Sequence, residues 1–303
     1  MYRFILAGFC LILLAACSAD APESSPDSSK PSPYTIVDFY GEQISLDQPA
    51  KRIVALAPHL VENVYSAGAG HALVGVVKHS DFPEEATLLP IVGGYTTVDT
   101  EAILALEPDL VLAWESGNSY GKVQIIKELG LPVYVDRTET LEQVAKSIRD
   151  IGILAGTKAQ AEKESQSYLR ALKVLRDKYH GRERISTFYQ VWNSPIRTIS
   201  GNHIISATIE LCGGQNIYAD AIAVSPTVNI ESVLERNPQA IIASGMAEER
   251  PDWLDEWKRW STLRAVKKDA LFFVHPDHIQ RHTTRLLLAA QTICDQLDVL
   301  RSN

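Results

Sequence analysis

The stretch Thr157-Lys-Ala-Gln-Ala-Glu-Lys-Glu-Ser-Gln-Ser-Tyr-Leu-Arg-Ala-Leu-Lys-Val-Leu-Arg-Asp-Lys-Tyr179 holds neither Gly nor Pro. It is dominated by Ala, Glu, Lys, Gln and Leu, all strong helix formers. Leu169, Leu172, Leu175 and Tyr179 fall at helical spacing and give one apolar stripe. At 1.5 Å per residue the stretch predicts a helix about 35 Å long. Outward from it the pattern changes on both sides. Residues 52–57, 72–77, 110–114 and 132–136 are short apolar runs that read as buried strands, with helical patterns near 59–67, 99–106, 119–129 and 139–155. Past Gly181 strands resume at 185–191, 240–243 and 271–274. Strand–helix alternation of this kind points to mostly parallel sheets. The expected fold is therefore α/β: two lobes, 34–156 and 182–303, joined by one long rigid helix at 157–181.

An internal echo supports two lobes. Thr97-Val-Asp-Thr-Glu-Ala-Ile-Leu-Ala-Leu-Glu-Pro-Asp-Leu-Val-Leu-Ala113 aligns without gaps to Thr227-Val-Asn-Ile-Glu-Ser-Val-Leu-Glu-Arg-Asn-Pro-Gln-Ala-Ile-Ile-Ala243. Each copy spells a polar cap, a short helix, a Pro-marked turn and a buried strand. Glu101 and Glu231 occupy the same place in the two copies, the first helical turn, where a carboxylate interacts favourably with the helix dipole.

The ends and the composition narrow the class. The first sixteen residues, Arg3 followed by an apolar run to Ala16, are too short to span a membrane and suit a signal peptide. Leu14-Ala15-Ala16-Cys17 resembles a bacterial lipobox, so Cys17 is the expected lipidation site and the chain's link to a membrane. Residues 17–33, rich in Ser and Pro, form a tether that cannot bury enough apolar surface to order itself. The formal charge is −8, and no basic block runs through the chain, which sets nucleic-acid binding aside. With Cys10 lost and Cys17 lipidated, only Cys212 and Cys294 remain. An exported chain with two such cysteines favours a disulfide, although a metal site using the pair stays open without the usual C-x-x-C spacing.

Taken together, the lipobox, the two lobes, the long middle helix and the paired Glu resemble class III substrate-binding proteins of ABC importers, the helical-backbone metal-receptor group. The specific pieces are Ser80-Asp81-Phe82-Pro83, Leu104-Ala-Leu-Glu-Pro-Asp-Leu-Val111, Ala113-Trp114, Leu211-Cys-Gly-Gly-Gln-Asn-Ile217, and Leu288-Ala-Ala-Gln291 with Cys294. The resemblance implies a monomeric, extracytoplasmic receptor that is not an enzyme and serves an ABC permease and its ATPase. It implies a Cys212–Cys294 disulfide, and docking of Glu101 and Glu231 against permease arginines. It also implies cobalamin or a related corrinoid as cargo rather than cofactor, with His79, Tyr95 and Trp114 in one lobe wall and Asp277 and Arg281 in the other. Trp192 is expected to add aromatic surface to the second wall, because Ser225 and Thr198 stand where cobalamin binders carry aromatics. An iron–siderophore or haem receptor of the same class is the alternative, with a zinc receptor or lipoprotein hydrolase more remote.

Histidines at 275, 278 and 282 could contact a metal or a metal chelate, although Pro276 argues against one continuous helix through His275, and a polar cleft rim is the simpler reading. His59 and His79 are the expected first-lobe partners for such a site. No G-x-S-x-G, H-E-x-x-H, P-loop or G-x-G-x-x-G after a strand occurs. The pair His59-x-x-Glu62 lies at a helix start, where Glu is a routine first-turn residue.

Overall fold

A computed structural model describes residues 33–302 apart from Tyr95, Ser119 and 246–248. The expected signal peptide, Cys17 and Tyr95 therefore lie outside the described residues. In chain order the first part holds β1 (Tyr34–Val37), β2 (Gln43–Leu46), β3 (Ile53–Ala55), α1 (Pro58–Ser66), β4 (Leu73–Gly75), α2 (Thr100–Ala105), β5 (Leu110–Trp114), α3 (Tyr120–Glu128), β6 (Val133–Asp136) and α4 (Leu141–Leu154). The long helix follows as α5 (Lys158–Tyr179). The second part holds β7 (Ile185–Gln190), β8 (Trp192–Asn193), β9 (Ile196–Arg197), α6 (Ile204–Leu211), β10 (Gly214–Asn216), α7 (Ile230–Arg236), β11 (Ala240–Ala243), α8 (Arg264–Lys267), β12 (Leu271–Phe273), α9 (Pro276–Ile279) and α10 (Leu286–Ser302).

Two four-stranded sheets, ordered β4-β3-β5-β6 and β10-β7-β11-β12, carry the two lobes. All their pairings are parallel. In each sheet the first strand in sequence lies second, with its successor outside it and the other two following in order. The echo of 97–113 in 227–243 is thus a structural one. Asp99 accepts a hydrogen bond from the Ala102 amide at 3.0 Å, and Asn229 accepts one from Ser232 at 2.9 Å. Both caps satisfy an orphan donor of the helix they open, α2 and α7. Each helix then leads into the third strand of its sheet. The β1–β2 hairpin and the short β8–β9 ribbon are antiparallel additions that lack a strong apolar run in the sequence.

Ala161, Ser165, Tyr168, Leu172, Leu175 and Tyr179 form the buried face of α5. Tyr168 takes the interior place expected of Leu169, which packs at the margin of the core. α4 lies closely alongside. A Cβ at Gly152 would come within 2.2 Å of the Ala161 Cβ, so only Gly permits this approach.

One apolar core runs from Ile53, Leu110 and Tyr134 of the first sheet through α4 and α5 to Ile185, Ile242 and Leu297 of the second part. The far face of each sheet has its own cluster, around Val54, Val111 and Ile126 in one and Phe188, Ile241 and Trp257 in the other. Trp257 is buried, while Trp253 and Trp260 pack at the margin of that second cluster, as helix-packing residues are expected to. Among the described residues no helix is long and apolar enough to cross a membrane.

Candidate ligand-binding cleft

In open parallel sheets the chain leaves each strand at its carboxyl end, and ligand sites gather there. Here β5 ends on Trp114 and β6 on Asp136, while His59 stands in the first turn of the helix that follows β3. From the second part, His203 caps α6 and His282 follows α9. Trp114 meets His59 edge-on at 5.1 Å between ring centroids and His282 at 5.9 Å. His282 in turn lies 5.2 Å from His59 and 5.8 Å from His203. A pocket of about 50 Å³ at this point is lined by Trp114, Arg137, Thr138, His203, Val224 and His282 among others. Residues of both lobes line it, so it is the floor of a cleft between them.

Local geometry fixes the Trp114 ring. The Asn118 side chain accepts from the Trp114 amide at 2.6 Å and donates to the Leu56 carbonyl at 2.9 Å. A Cβ on Gly117 would meet the indole at 1.9 Å, so the turn after β5 can fold over the ring only with Gly there. Burial depresses His203 to about 4. It pushes His282 well below the ordinary value, with His59 and His203 adding to the effect. Both imidazoles are neutral near pH 7.

Beside this floor lies an ion-pair network that joins the lobes. Glu62 is buried on α1, and Arg285 grips it through Nε at 2.9 Å and Nη2 at 2.6 Å. Arg281 donates through Nη1 to Glu62 at 3.0 Å and to Asp81 at 2.7 Å, and its Nη2 reaches Asp277 at 2.9 Å. The Arg285 guanidinium also stacks 4.2 Å from the Phe82 ring centroid. Burial would raise the Asp81 carboxyl, but the hydrogen bond and charge of Arg281 outweigh it and hold the group below its usual range.

The sequence-expected residues are therefore distributed in several places. Trp114 stands on the cleft floor. Asp277 and Arg281 are engaged in the inter-lobe ion pairs. His79 is exposed in a turn with φ of 67°. Trp192 is 43% exposed on β8, its indole donating to the Ser194 carbonyl at 3.0 Å. Among the described residues neither His79 nor Trp192 lines the small pocket. Glu101 and Glu231 are exposed in the first turns of α2 and α7. Cys212 and Cys294 are joined by a disulfide. Of the second-part histidines, His275 caps α9 by accepting from the Asp277 amide, and His282 turns inward instead of lining the rim.

Sequence reasoning undervalued His59 and Glu62 and did not single out Asp136, His203 or Arg285. The available signal was α1 itself, where His59, Glu62 and Asn63 interrupt an apolar helix that is buried along most of its length. A larger groove, about 590 Å³, lies elsewhere, along the end of α5 beside α6, with Glu142, Arg176, Arg184 and Glu210 in its walls. It lies away from the carboxyl ends of the strands, where ligand sites of parallel sheets gather.

The family model for periplasmic binding proteins matches residues 53–278. The chain belongs to the periplasmic binding protein family. A vitamin B12-binding protein of Vibrio campbellii is 35% identical over 253 residues, covering 84% of this chain and 91% of the relative. The crystal structure of the periplasmic vitamin B12-binding protein of Vibrio cholerae superposes with a TM-score of 0.79 at 34% identity, covering 84% of this chain and 99% of that one. The periplasmic heme-binding protein HutB of the same species shares the fold, with a TM-score of 0.70 at 20% identity, covering 81% and 98%. Members of this family are substrate-binding proteins, not enzymes, and they work with an ABC permease and its ATPase.

Proposed function

We propose that this periplasmic binding protein captures cobalamin or a related corrinoid between its lobes and delivers it to an ABC importer. The reading is carried by the aromatic floor at Trp114, set between the carboxyl ends of two parallel sheets, in a chain whose relatives at about a third identity are vitamin B12-binding proteins. A corrin is broad, flat and largely apolar, which suits an indole face with a few orienting polar groups. The floor pocket is far smaller than a corrinoid, so the ring sits across the open mouth of the cleft. His79 and Trp192 supply rim surface and Tyr95 adds an aromatic contact to the cargo, while Asp277 and Arg281 bound the cleft from within their ion pairs. Cys17 carries the lipid that holds the receptor at the membrane, and the receptor acts as a monomer divided at 34–156, 157–181 and 182–303.

Calorimetric titration of the purified chain with cyanocobalamin, haemin and a panel of iron–siderophores tests this. Cyanocobalamin is expected to bind 1:1. The second reading, a haem receptor, is favoured by His203 and His282 beside the pocket. Tight haemin binding with no heat from any corrinoid would install it.

A further inference from the structure

We propose that His59, Asp136 and His282 form a buried binding site for a divalent first-row metal ion of the zinc type, which ties the two lobes together beneath Trp114. One donor atom from each of the three lies within 4.8 Å of the other two, and all three residues are buried. His59 and Asp136 come from the first sheet's carboxyl edge and His282 from the second part, so an ion here bridges the lobes.

Three orphaned atoms point into this cluster. His59 Nε2, Asp136 Oδ2 and His282 Nδ1 are all buried without a hydrogen-bond partner. His59 Nε2 and Asp136 Oδ2 are 3.7 Å apart, too far for a hydrogen bond. Leaving a fully buried carboxylate oxygen and two imidazole nitrogens unpaired is costly, and a bound cation would satisfy all three together.

The surroundings resemble the outer support of a metal site. Thr138 donates to the other Asp136 oxygen at 3.1 Å, and the Asn63 side-chain amide donates to the His282 carbonyl at 3.1 Å. Such contacts aim and hold ligating groups. Two imidazoles with one carboxylate suit zinc and its first-row neighbours. Calcium and magnesium prefer shells of oxygen. Metal–ligand bonds of about 2.0–2.2 Å require the three donors to draw together by roughly an ångström. A fourth position is left for water.

This inference is independent of the cargo, and its test is run without any corrinoid. The full chain, freed of any tag, stripped with chelator and with its free thiols alkylated, is titrated with Co²⁺ and followed by visible absorption. Zn²⁺ is then added in competition. A ligand-field band that saturates at one Co²⁺ per chain and is abolished by one equivalent of Zn²⁺ is expected. Asp136→Asn should weaken the ion at least tenfold, and Zn²⁺ should raise the melting temperature of the parent chain but not of this variant. Absence of a saturable band in the parent chain overturns the site, whether or not the variant folds. So does a band that survives unchanged in both Asp136→Asn and His282→Gln.

Discussion

At the scale of single residues, Trp114 is the side chain on which the cargo reading depends most directly. Trp114→Ala is expected to weaken corrinoid binding by about 1–3 kcal/mol, the range for a buried aromatic anchor, as read by calorimetry. An unchanged affinity would remove the indole from the binding surface. Glu62 carries a different expectation. Among the described residues its carboxylate is the only anion that both Arg281 and Arg285 contact at 3.0 Å or less. Glu62→Gln removes the anion the two guanidiniums share. It leaves Arg281 to Asp81 and Asp277, and half-buried Arg285 with Asp277 at 4.0 Å. Stability should therefore fall by about 1–3 kcal/mol, measurable by urea unfolding. Trp114 was legible through the family resemblance, which implied it in the first-lobe wall, and its place at the end of β5 agrees with that. The partners of Glu62 were not, because Arg281 and Arg285 lie more than two hundred positions away, and local spacing carries no signal at that range.

At the scale of elements, the repeat was the most legible feature, since cap, helix, Pro turn and strand are all written in local sequence. The structure adds that α2 and α7 each precede the third strand of their sheet. Helices that link parallel strands begin on the side where the strands end, so Glu101 and Glu231 are both expected on the cleft side of their lobes. Carboxylates so placed can pair with permease arginines in charge-assisted, often bidentate bonds. The double variant Glu101→Ala/Glu231→Ala should keep ligand affinity but lose receptor-stimulated transport in reconstituted vesicles. Reversal to Lys should be worse, and normal transport by the double Ala variant would reduce both residues to helix-start carboxylates. The disulfide closes a separation of 82 residues between the end of α6 and α10. Replacing both cysteines with Ser should cost about 4–5 kcal/mol on the chain-entropy account, read as a lower melting temperature. The β1–β2 and β8–β9 pairings escaped sequence reading because their strands are short and stand apart from the main sheets.

At the scale of the whole molecule, α5 has no internal Gly or Pro and packs into a core that both sheets share. Closure around cargo should therefore be small, unlike hinge motion between separately packed domains. Small-angle scattering with and without corrinoid measures this, and a clear fall in radius of gyration on binding would contradict it. The sequence pointed to two lobes and a connecting helix, but it gave no sign that their interiors merge, because contact between distant segments leaves no local period. That merger bears on how such a receptor can change over evolutionary time. Side chains of the first sheet, α4, α5 and α10 interlock in one interior, so exchanging half of this chain for the matching half of a relative would mismatch dozens of packed atoms at once. New cargo preferences are then reached by altering the loops beyond the strand ends, one substitution at a time, while the two halves are inherited together.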